Sequence, residues 1–447
     1  MIDTQKKQFK KFSIRDVIKT KDSRSLSGKF IILVILISPI IDLFNGLLLD
    51  KVPISPGQII RPLFMLVGLY ILLMFRKKSF IYFSIVAFFM VLSLSIYTLL
   101  FGGSTFSNLV WDFRLLFTLT IVLVYVNFLR IQKKKFVKKV LLYVECTIAF
   151  IAAVIVISSI LNIGFNTYTA NNGVGNKGFF IGQNDVTSIF SMIFPILLVQ
   201  FITIRTNRIL RIVNLTLVIF ATILLGTKSG MAFILLGAIL VLAFHFKEKN
   251  FHEGIFKDIK RKKKQIITII TLILSALIIF VLVFKSSLLD WLSYQLYFLN
   301  HSNNFLTYLL SGRNKSIQPM FEILIENPIF ILIGSTFQEG QNLLSQKLGF
   351  PAFVEFDPLS VLFYNGIIVF SLILILFLYL FKKSFKLFKG DIYNKAIGIS
   401  FWIGVLYSSL GGHVFPSGIS GSYFAMICGL VIYFPVKEEV KIANRQS

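Results

Sequence analysis

Apolar runs, each bounded by polar or basic residues, recur along most of this chain of 447 residues. Many of them are about 18–23 residues long, which is enough for a helix to cross the hydrocarbon core of a bilayer. In lipid such a run must satisfy its backbone polar groups internally, so helices are the expected form. With a hydrophobic share of 56% and a mean hydropathy of +0.80, the chain is far more apolar than a soluble domain. The sequence therefore predicts an all-α polytopic membrane protein without a soluble domain.

About twelve transmembrane helices are predicted, and they leave one large polar segment between them. Residues 1–29 are expected to form a basic cytoplasmic tail, and 30–285 the first nine transmembrane helices. Residues 286–358 are expected to form one large extracellular loop with short helices. The last three transmembrane helices follow over 359–434, and 435–447 form a second cytoplasmic tail. We expect the chemistry to be built around the polar loop.

The basic residues are distributed unequally between the two predicted sides of the membrane. The chain has 46 Lys and Arg against 20 Asp and Glu, for a net charge of +26. Only nine of the basic residues fall on the predicted outer side: Lys51, Arg61, Arg114, Lys177, Lys228, Lys285, Arg313, Lys315 and Lys347. An excess of Lys and Arg in cytoplasmic loops is typical of polytopic proteins. It places both termini in the cytoplasm and explains most of the charge without a nucleic-acid partner.

Neither cysteine indicates a disulfide or a metal site. Cys146 and Cys428 both lie in apolar runs, and no cluster of His and Cys has the spacing of a zinc site. No glycine-rich loop follows a strand in the manner of a nucleotide site. We therefore expect neither a cofactor nor a bound metal, and a substrate that arrives already activated.

Charged residues within or beside the predicted transmembrane helices are candidates for function, because an unpaired charge in the membrane is costly. Arg61 and Arg114 lie at the predicted outer ends of the second and fourth helices. Each either binds an anionic substrate or simply anchors its helix through an ion pair or contact with water. Asp42 and Glu145 lie within the first and fifth predicted helices and are either functional or paired.

Two further basic residues stand in short polar segments on the predicted outer side. Lys228 lies in a tight turn between Gly226 and Gly230, where the backbone can approach a ligand closely. Arg313 precedes a predicted helix over 314–326, and a helix N-terminus favours an anion. Both patterns indicate a phosphate site, although a solvated cation would also explain each of them.

The exit of the large loop carries an acidic pair directly before a predicted transmembrane helix. Glu355 and Asp357 would point the same way on an extended strand. A carboxylate at the membrane boundary could act as a general base, or it could pair with one of the arginines. His413 follows two glycines near the last helix, where a structural histidine is more common than a functional one.

From about Tyr168 onwards, a series of short motifs resembles the O-antigen ligase and Wzy-type repeat-unit polymerase superfamily. The matching residues, in chain order, are Gly178-Phe179-Phe180, Gln183-Asn184-Asp185, Gly226-Thr227-Lys228-Ser229, Ser311-Gly312-Arg313, Asn327-Pro328, Glu355-Phe356-Asp357 ahead of Gly366, and Gly412-His413-Val414. Before Tyr168 only the topology is similar. The resemblance implies a GT-C-like polymerase/ligase architecture with one large extracellular loop.

What the resemblance implies is glycosyl transfer at the outer face of the bacterial cytoplasmic membrane, by a capsular or exopolysaccharide polymerase. The donor is a growing glycan on undecaprenyl diphosphate, and the acceptor is a single lipid-linked repeat unit. Membrane lipids, a chain-length regulator and a flippase are the further partners. The expected base of this inverting, metal-independent transfer is Glu355 or else Asp357. Diphosphate binding is expected of Arg313, Lys228, Arg61 and Arg114, and substrate binding of His413 and Asn184.

Two departures from the family pattern bear on which member the chain resembles. Lys228 stands where the family more often has an arginine, which keeps the charge but loses the bidentate fork. The ligases carry a histidine near the position of Glu355, and the acidic pair found here is more similar to the polymerases. A ligase that transfers the glycan to another acceptor remains the first alternative. A lipid-linked oligosaccharide flippase is the second, although its polar residues should cluster at the midplane of the membrane.

Overall fold

The computed structural model describes residues 14–49, 51–102, 105–168, 174–204, 207–251, 285–302 and 304–446. Within these ranges nearly every element is a helix, and the only sheet has two strands. This confirms the prediction of an all-α polytopic membrane protein. The predicted ninth transmembrane helix, 266–284, lies outside the described residues.

Five long helices come first, joined by short connections: α1 (Ile14–Leu47), α2 (Pro56–Phe75), α3 (Lys77–Phe101), α4 (Thr105–Phe128) and α5 (Lys134–Ile160). Local sequence explains where α2 begins, because the Gln58 side chain accepts a hydrogen bond from the Ser55 N–H at 2.9 Å and Pro56 occupies the first helical position. A short 3₁₀ turn, Leu129–Ile131, precedes the basic start of α5.

The middle of the chain contains a small hairpin and three helices. Strands β1 (Asn166–Tyr168) and β2 (Val174–Asn176) pair antiparallel, with Asn166 opposite Asn176. The helices follow as α6 (Gln183–Thr203), α7 (Arg208–Leu225) and α8 (Lys228–Phe251). The turn between α7 and α8 is as tight as predicted, because Gly226 adopts a left-handed conformation with φ 67°.

The segment predicted to be the large loop contains short helices. They are α9 (Lys285–Asn300), α10 (Phe305–Leu309), α11 (Ile317–Glu326), α12 (Ile329–Ile333) and α13 (Phe337–Leu348), with a 3₁₀ turn over Arg313–Ser316. Three long helices complete the chain: α14 (Asp357–Leu387), α15 (Ile392–Leu410) and α16 (Gly418–Gln446). Helix α14 is interrupted at Gly366, where φ is 79° and ψ is 172°.

Ten helices within the described residues are long and apolar enough to cross a membrane. Helix α15 occupies the place of the predicted eleventh span, although it is not among those ten. Two helices extend beyond the predicted transmembrane segments, since α1 begins at Ile14 within the predicted tail of 1–29 and α16 continues to Gln446 within the predicted tail of 435–447. Hydropathy marks where a chain enters lipid, whereas a helix can continue beyond the bilayer among basic residues.

Helices α6 and α16 form the centre of the bundle. Of the most apolar 18 residues in each helix, 83% are buried in α6 and 89% in α16, whereas only 22% are buried in α2 and in α8. Small residues allow the close packing, as where Gly421 of α16 lies against Thr118 of α4. The peripheral helices expose their apolar residues to lipid. The polar residues therefore gather at the ends of the central helices.

Candidate functional site

The polar residues predicted to be functional collect at one end of the bundle. This end carries the connections over 51–55, 161–182, 285–356 and 411–417, and we call it the loop face. The opposite end carries the basic segments over 76–78, 129–139 and 382–395, and we call it the basic face. Two ion pairs organise the loop face, one on the large loop and one between the first two helices.

The first ion pair joins Arg313 to Glu355. Residues Ser311 and Gly312 both have positive φ, 55° and 83°, and they turn the chain so that Arg313 begins the 3₁₀ turn ahead of α11. The guanidinium Nε donates to Oε2 of Glu355, and the side chains keep 13% and 26% of their surface exposed. The pair is thus held in place and still open to a ligand.

The backbone around Glu355 is held by the connection between α15 and α16. A Cβ atom on Gly412 would lie 1.6 Å from the carbonyl oxygen of Glu355, so only glycine fits there. Gly412 also has φ 66°, a conformation that glycine adopts without strain. The glycine of the Gly412-His413-Val414 motif therefore brings the last connection against the backbone of Glu355, the residue that we expected to be the base.

Lys228 begins α8 and extends towards the large loop. Its Nζ donates to the carbonyl oxygen of Tyr308 at 2.6 Å and lies 3.8 Å from the centroid of the Tyr308 ring. The Phe298 ring lies 4.7 Å from the same atom. Contacts of a cation with aromatic faces and a carbonyl stabilise its charge in a partly desolvated place. Arg313 is close enough to repel Lys228 electrostatically, so two of the four charges that we expected to bind diphosphate share one region.

Aromatic residues connect these groups. Tyr407 of α15 shares a hydrogen bond with Ser229 at 3.1 Å between the hydroxyl oxygens and interacts with both Arg313 and Asp185. Tyr168 of β1 stacks on Tyr294 of α9 with ring centroids 4.9 Å apart. Burial raises the pKa of Tyr168 to about 12, the nearby Tyr294 adds to the rise, and Arg313 opposes it. The Tyr168 hydroxyl therefore stays protonated at neutral pH.

The second ion pair joins Arg61 of α2 to Asp42 of α1. The Arg61 Nη2 atom lies 2.6 Å from both carboxylate oxygens. The guanidinium also packs against Gly418, the first residue of α16, where a Cβ would lie 2.1 Å from its Nε atom. Asp42 is thus paired rather than isolated, and so is Glu145, whose carboxylate lies 3.6 Å from Nε of Arg211 towards the basic face.

Arg114 contrasts with these paired cations. It lies in α4 with an exposed side chain, and among the described residues no hydrogen bond or ion pair is formed by its guanidinium. Its strongest charged neighbours are Arg61, which repels it, and Asp185 and Asp42, which attract it. Arg114 is therefore a cation whose donors are available to a ligand at the loop face.

Asp357, the alternative base, is already engaged by the protein. It is 4% exposed, and its Oδ2 accepts from Ser408 at 2.7 Å, from the Val414 N–H at 2.8 Å and from the Phe415 N–H at 2.9 Å. Its Oδ1 accepts from the His413 N–H at 2.7 Å. Such a carboxylate shapes the connection between α15 and α16 rather than meeting a substrate.

His413 is held above this carboxylate in an unusual conformation. Its φ is 62°, which is uncommon for a residue with a side chain and persists only where the surroundings impose it. Its ring and that of Phe353 form a T-shaped pair with centroids 5.9 Å apart, and the carboxyl groups of Asp185 and Asp357 lie near the imidazole. Asn184 lies in the first turn of α6, partly buried beside Asp185. Within the described part of the chain no hydrogen bond engages its side chain.

Sequence reasoning missed three residues that join the predicted ones: Asp185, Tyr168 and Tyr407. Asp185 interacts with His413, Asp42, Ser417 and Arg61, and so links the second ion pair to the connection between α15 and α16. The signal available in the sequence was an aspartate at the very start of a transmembrane helix, after a glycine-rich segment. No group of three or more His, Cys, Asp or Glu suited to a metal ion occurs among the residues that the structure describes.

A sequence model of the family described as O-antigen ligase like membrane protein matches residues 25–305 of this chain. That is more than half of the chain. The protein belongs to this family. No curated protein and no solved structure gives a significant match.

The match to the O-antigen ligase-like family refines the resemblance seen in the sequence. It covers the region before Tyr168, which resembled the superfamily by topology only, and it includes Arg61, Arg114, Asn184 and Lys228. It ends before Arg313 and the residues that follow it on the loop face. Family membership therefore supports a role in processing glycans at a membrane, and it does not distinguish a polymerase from a ligase.

Proposed function

We propose that this O-antigen ligase-like protein is a polysaccharide polymerase that joins undecaprenyl-diphosphate-linked repeat units. The reaction takes place at the outer face of the bacterial cytoplasmic membrane, so the loop face is extracellular and both termini are cytoplasmic. The observation that carries the proposal is the pairing of Arg313 with Glu355 beside Lys228. It combines a carboxylate, which can accept a proton, with cations that can bind a diphosphate.

Glu355 is the proposed base. Its carboxylate takes the proton from a hydroxyl of the acceptor sugar, and the hydroxyl oxygen forms a bond with the anomeric carbon of the donor. The bond from that carbon to the diphosphate oxygen breaks, the configuration inverts, and the diphosphate leaves with its lipid. Proton transfer to a positioned carboxylate accelerates such a step by about 10²–10⁴-fold. Arg313 orients Glu355 before the substrate arrives, through the bond from its Nε atom.

The leaving diphosphate is bound by the cations of the loop face. Arg114 has free donors, and Arg313 uses one nitrogen for Glu355 and keeps the others for a phosphate oxygen. Arg61 and Lys228 are held by Asp42 and by aromatic rings, so they contribute charge from fixed positions. Preorganised charges in a site with little water stabilise developing negative charge more strongly than solvated ones. We assign the neutralisation of the leaving group to these side chains.

The remaining predicted residues position the sugars. Asp357 holds the backbone of His413, Val414 and Phe415, and this places the His413 ring near Asp185. Asn184, at the start of α6, is available to bind a sugar hydroxyl. The apolar surfaces between peripheral helices would accept the polyprenyl tails of donor and acceptor. A flippase and a chain-length regulator are the partner proteins that such a polymerase requires.

A ligase that moves the finished glycan to another acceptor is the second candidate. The family match favours it as much as the polymerase, because residues 25–305 match ligase-like proteins in general. Both reactions use the same donor and the same leaving group. They differ in the acceptor alone, which the charged residues of the loop face do not select.

Deletion of the gene in its own bacterium, followed by analysis of lipid-linked glycans, tests the proposal. A polymerase mutant should accumulate single repeat units at the outer face of the membrane. Accumulation of full-length polymer on its lipid would establish the ligase, and accumulation of units at the inner face would establish a flippase. Complementation with Glu355→Gln or Arg313→Ala should fail to restore polymer while the protein still inserts. Normal polymer with either variant would contradict the role assigned to that residue.

A further inference from the structure

A second polar site lies on a different part of α4 from Arg114, away from both ion pairs. It is a cavity of about 10 Å³, large enough for one small occupant, between α3, α4 and the segment from α12 to α14. Its wall combines apolar side chains with Tyr364 and five other oxygen-bearing side chains: Ser93, Asn108, Asp112, Thr336 and Asn365. Four of these are buried and Asp112 is partly buried.

The cavity is built where α14 is interrupted. At Gly366 a Cβ atom would lie 2.2 Å from the carbonyl oxygen of Leu332, so the segment after α12 sits directly against the break. The backbone N–H groups of Ser335 and Thr336 donate to the carbonyls of Phe363 and Tyr364, at 2.8 and 3.2 Å. A helix interrupted within the membrane and repaired by a neighbouring segment is a frequent setting for ion sites.

The polar side chains around the cavity have a definite orientation. The Trp111 Nε1–H donates to Oδ1 of Asn365 at 3.2 Å, and the amide nitrogen of Asn365 donates to Oδ1 of Asp112 at 2.6 Å. Oδ1 of Asn108 accepts from the Gln338 N–H at 2.8 Å. These bonds fix the side chains of Asn108, Asp112 and Asn365 at the wall of the cavity.

Two groups at the cavity lack partners that their chemistry requires. Among the described residues Asp112 has no ion pair with Lys, Arg or His, and its one hydrogen bond is donated by Asn365. The Thr336 hydroxyl belongs to a side chain that is only 6% exposed, and its oxygen has no hydrogen-bond partner. An unpaired charge and an unpaired buried hydroxyl are both costly in a membrane protein. One occupant that contacts both would remove both costs.

We propose that this cavity binds a monovalent cation, Na⁺, between Asp112 and Thr336. With Asp112 ionised, the site supplies one negative charge and several neutral oxygens, which balances a single positive charge, whereas a divalent ion would leave an excess. A water molecule would satisfy the hydroxyl but leave the carboxylate charge uncompensated. The bound ion joins α4 to the loop segment that begins at Gly334 and to the broken helix α14. It therefore holds the second half of the large loop against the bundle, independently of the reaction that the loop face catalyses.

Thermal unfolding of the purified protein in zwitterionic nanodiscs tests the site. NaCl replaces choline chloride at constant ionic strength, and the midpoint of unfolding is followed as Na⁺ increases. Because an ion that binds only the folded state stabilises it by mass action, the midpoint should rise by about 5 °C and then saturate. Asp112→Asn should abolish the rise, and Thr336→Val should shift the half-saturating Na⁺ concentration upwards by about tenfold.

Asp22→Asn is the matched control, since it removes an exposed carboxylate on α1, and it should keep the full response to Na⁺. An equal midpoint in choline and Na⁺ for the unchanged protein would overturn the proposal, and so would an unchanged Na⁺ response in Asp112→Asn. If Asp112→Asn does not fold, the comparison of Thr336→Val with the unchanged protein decides, and an identical half-saturating concentration would refute the site. Stabilisation by acid alone, without any effect of Na⁺, would assign a proton to Asp112 instead and would equally reject the ion.

Discussion

The exit of the large loop and the start of α14 each present one carboxylate, only two residues apart, and the protein treats them in opposite ways. Glu355 faces a single guanidinium and keeps 26% of its side-chain surface exposed. Asp357 is 4% exposed and accepts hydrogen bonds from three backbone N–H groups and one hydroxyl. Identical charge on neighbouring residues therefore does not imply a shared role.

The difference follows from where the chain becomes helical. Asp357 is the first residue of α14, beside the connection over 411–417, so the N–H groups of that connection converge on it. Glu355 still belongs to the extended segment before the helix, and its side chain turns towards Arg313. A carboxylate whose oxygens are filled by the protein shapes the fold, and one that is shared with an arginine can exchange that partner for a substrate.

The largest effect is expected for Glu355→Gln. The amide keeps the shape of the side chain and cannot accept a proton, so the rate of repeat-unit transfer should fall by about 10³-fold or more. The measurement is the conversion of a lipid-linked repeat unit by purified protein, read by mass spectrometry, together with the midpoint of thermal unfolding. The unfolding midpoint should change little, because Glu355 is not buried.

Glu339→Gln provides the control for that variant. It makes the same chemical change in the same loop, on a side chain that accepts a hydrogen bond from Asn342 and has no ion pair among the described residues. Its rate should equal that of the unchanged protein. If both variants lost activity equally, the loop as a whole would be sensitive to charge, and Glu355 could no longer be distinguished as the base.

Arg114→Ala should have the next largest effect, with a rate lower by about 10²-fold, because free donors that bind developing charge are lost. Its unfolding midpoint should be unchanged, since within the described structure the guanidinium has no partner to leave behind. Arg61→Ala makes the instructive comparison, because it leaves Asp42 unpaired and should lower the midpoint as well. A lower unfolding midpoint for Arg114→Ala and not for Arg61→Ala would contradict the conclusion that Arg114 is available to a ligand and that Arg61 is paired with Asp42.

Asp357→Asn should act mainly on stability. One oxygen becomes an NH₂ group, which cannot accept from the donors that now face the carboxylate. Losing charge-assisted hydrogen bonds of this kind costs about 1.5–3 kcal/mol each. The unfolding midpoint should fall clearly, while the rate measured well below that midpoint should fall only a few-fold. Complete loss of activity in a protein that remains folded would show that Asp357 takes part in the reaction, and the contrast with Glu355 would fail.

Hydropathy predicted the transmembrane architecture well, because a segment that crosses lipid must be long, apolar and helical. It did not predict the interruption of α14, since Gly366 inside an apolar run carries no sign that Ser335 and Thr336 will repair the helix. It also did not show that α1 begins at Ile14, because basic residues outside the lipid leave no hydropathy signal.

The sequence indicated which residues belong to the candidate site better than it indicated how they contact one another. Charges on the sparsely basic side were expected to mark the site, and the structure brings Arg313 and Lys228 into one region and pairs Arg61 with Asp42. Their pairing was not readable, because Asp42 and Arg61, or Arg313 and Glu355, meet only through the packing of whole helices. The engaged state of Asp357 depends on a connection more than fifty residues further along the chain.

The smallest effect is expected for Lys347→Ala, which removes the other cation of the large loop that forms ion pairs in the described structure. Lys347 bridges Glu322 and Glu326, at 3.4 and 2.6 Å, on the exposed faces of α11 and α13. Exposed pairs of this kind contribute little, because water and salt screen them. Neither the unfolding midpoint nor the rate of transfer should change measurably. A large loss of activity would mean that the loop acts through its total charge, so that an exposed pair would count as much as the pair of Arg313 and Glu355. An unchanged rate, set beside the loss in Glu355→Gln, would confine the chemistry to the pair that faces the cluster of cations on the loop face.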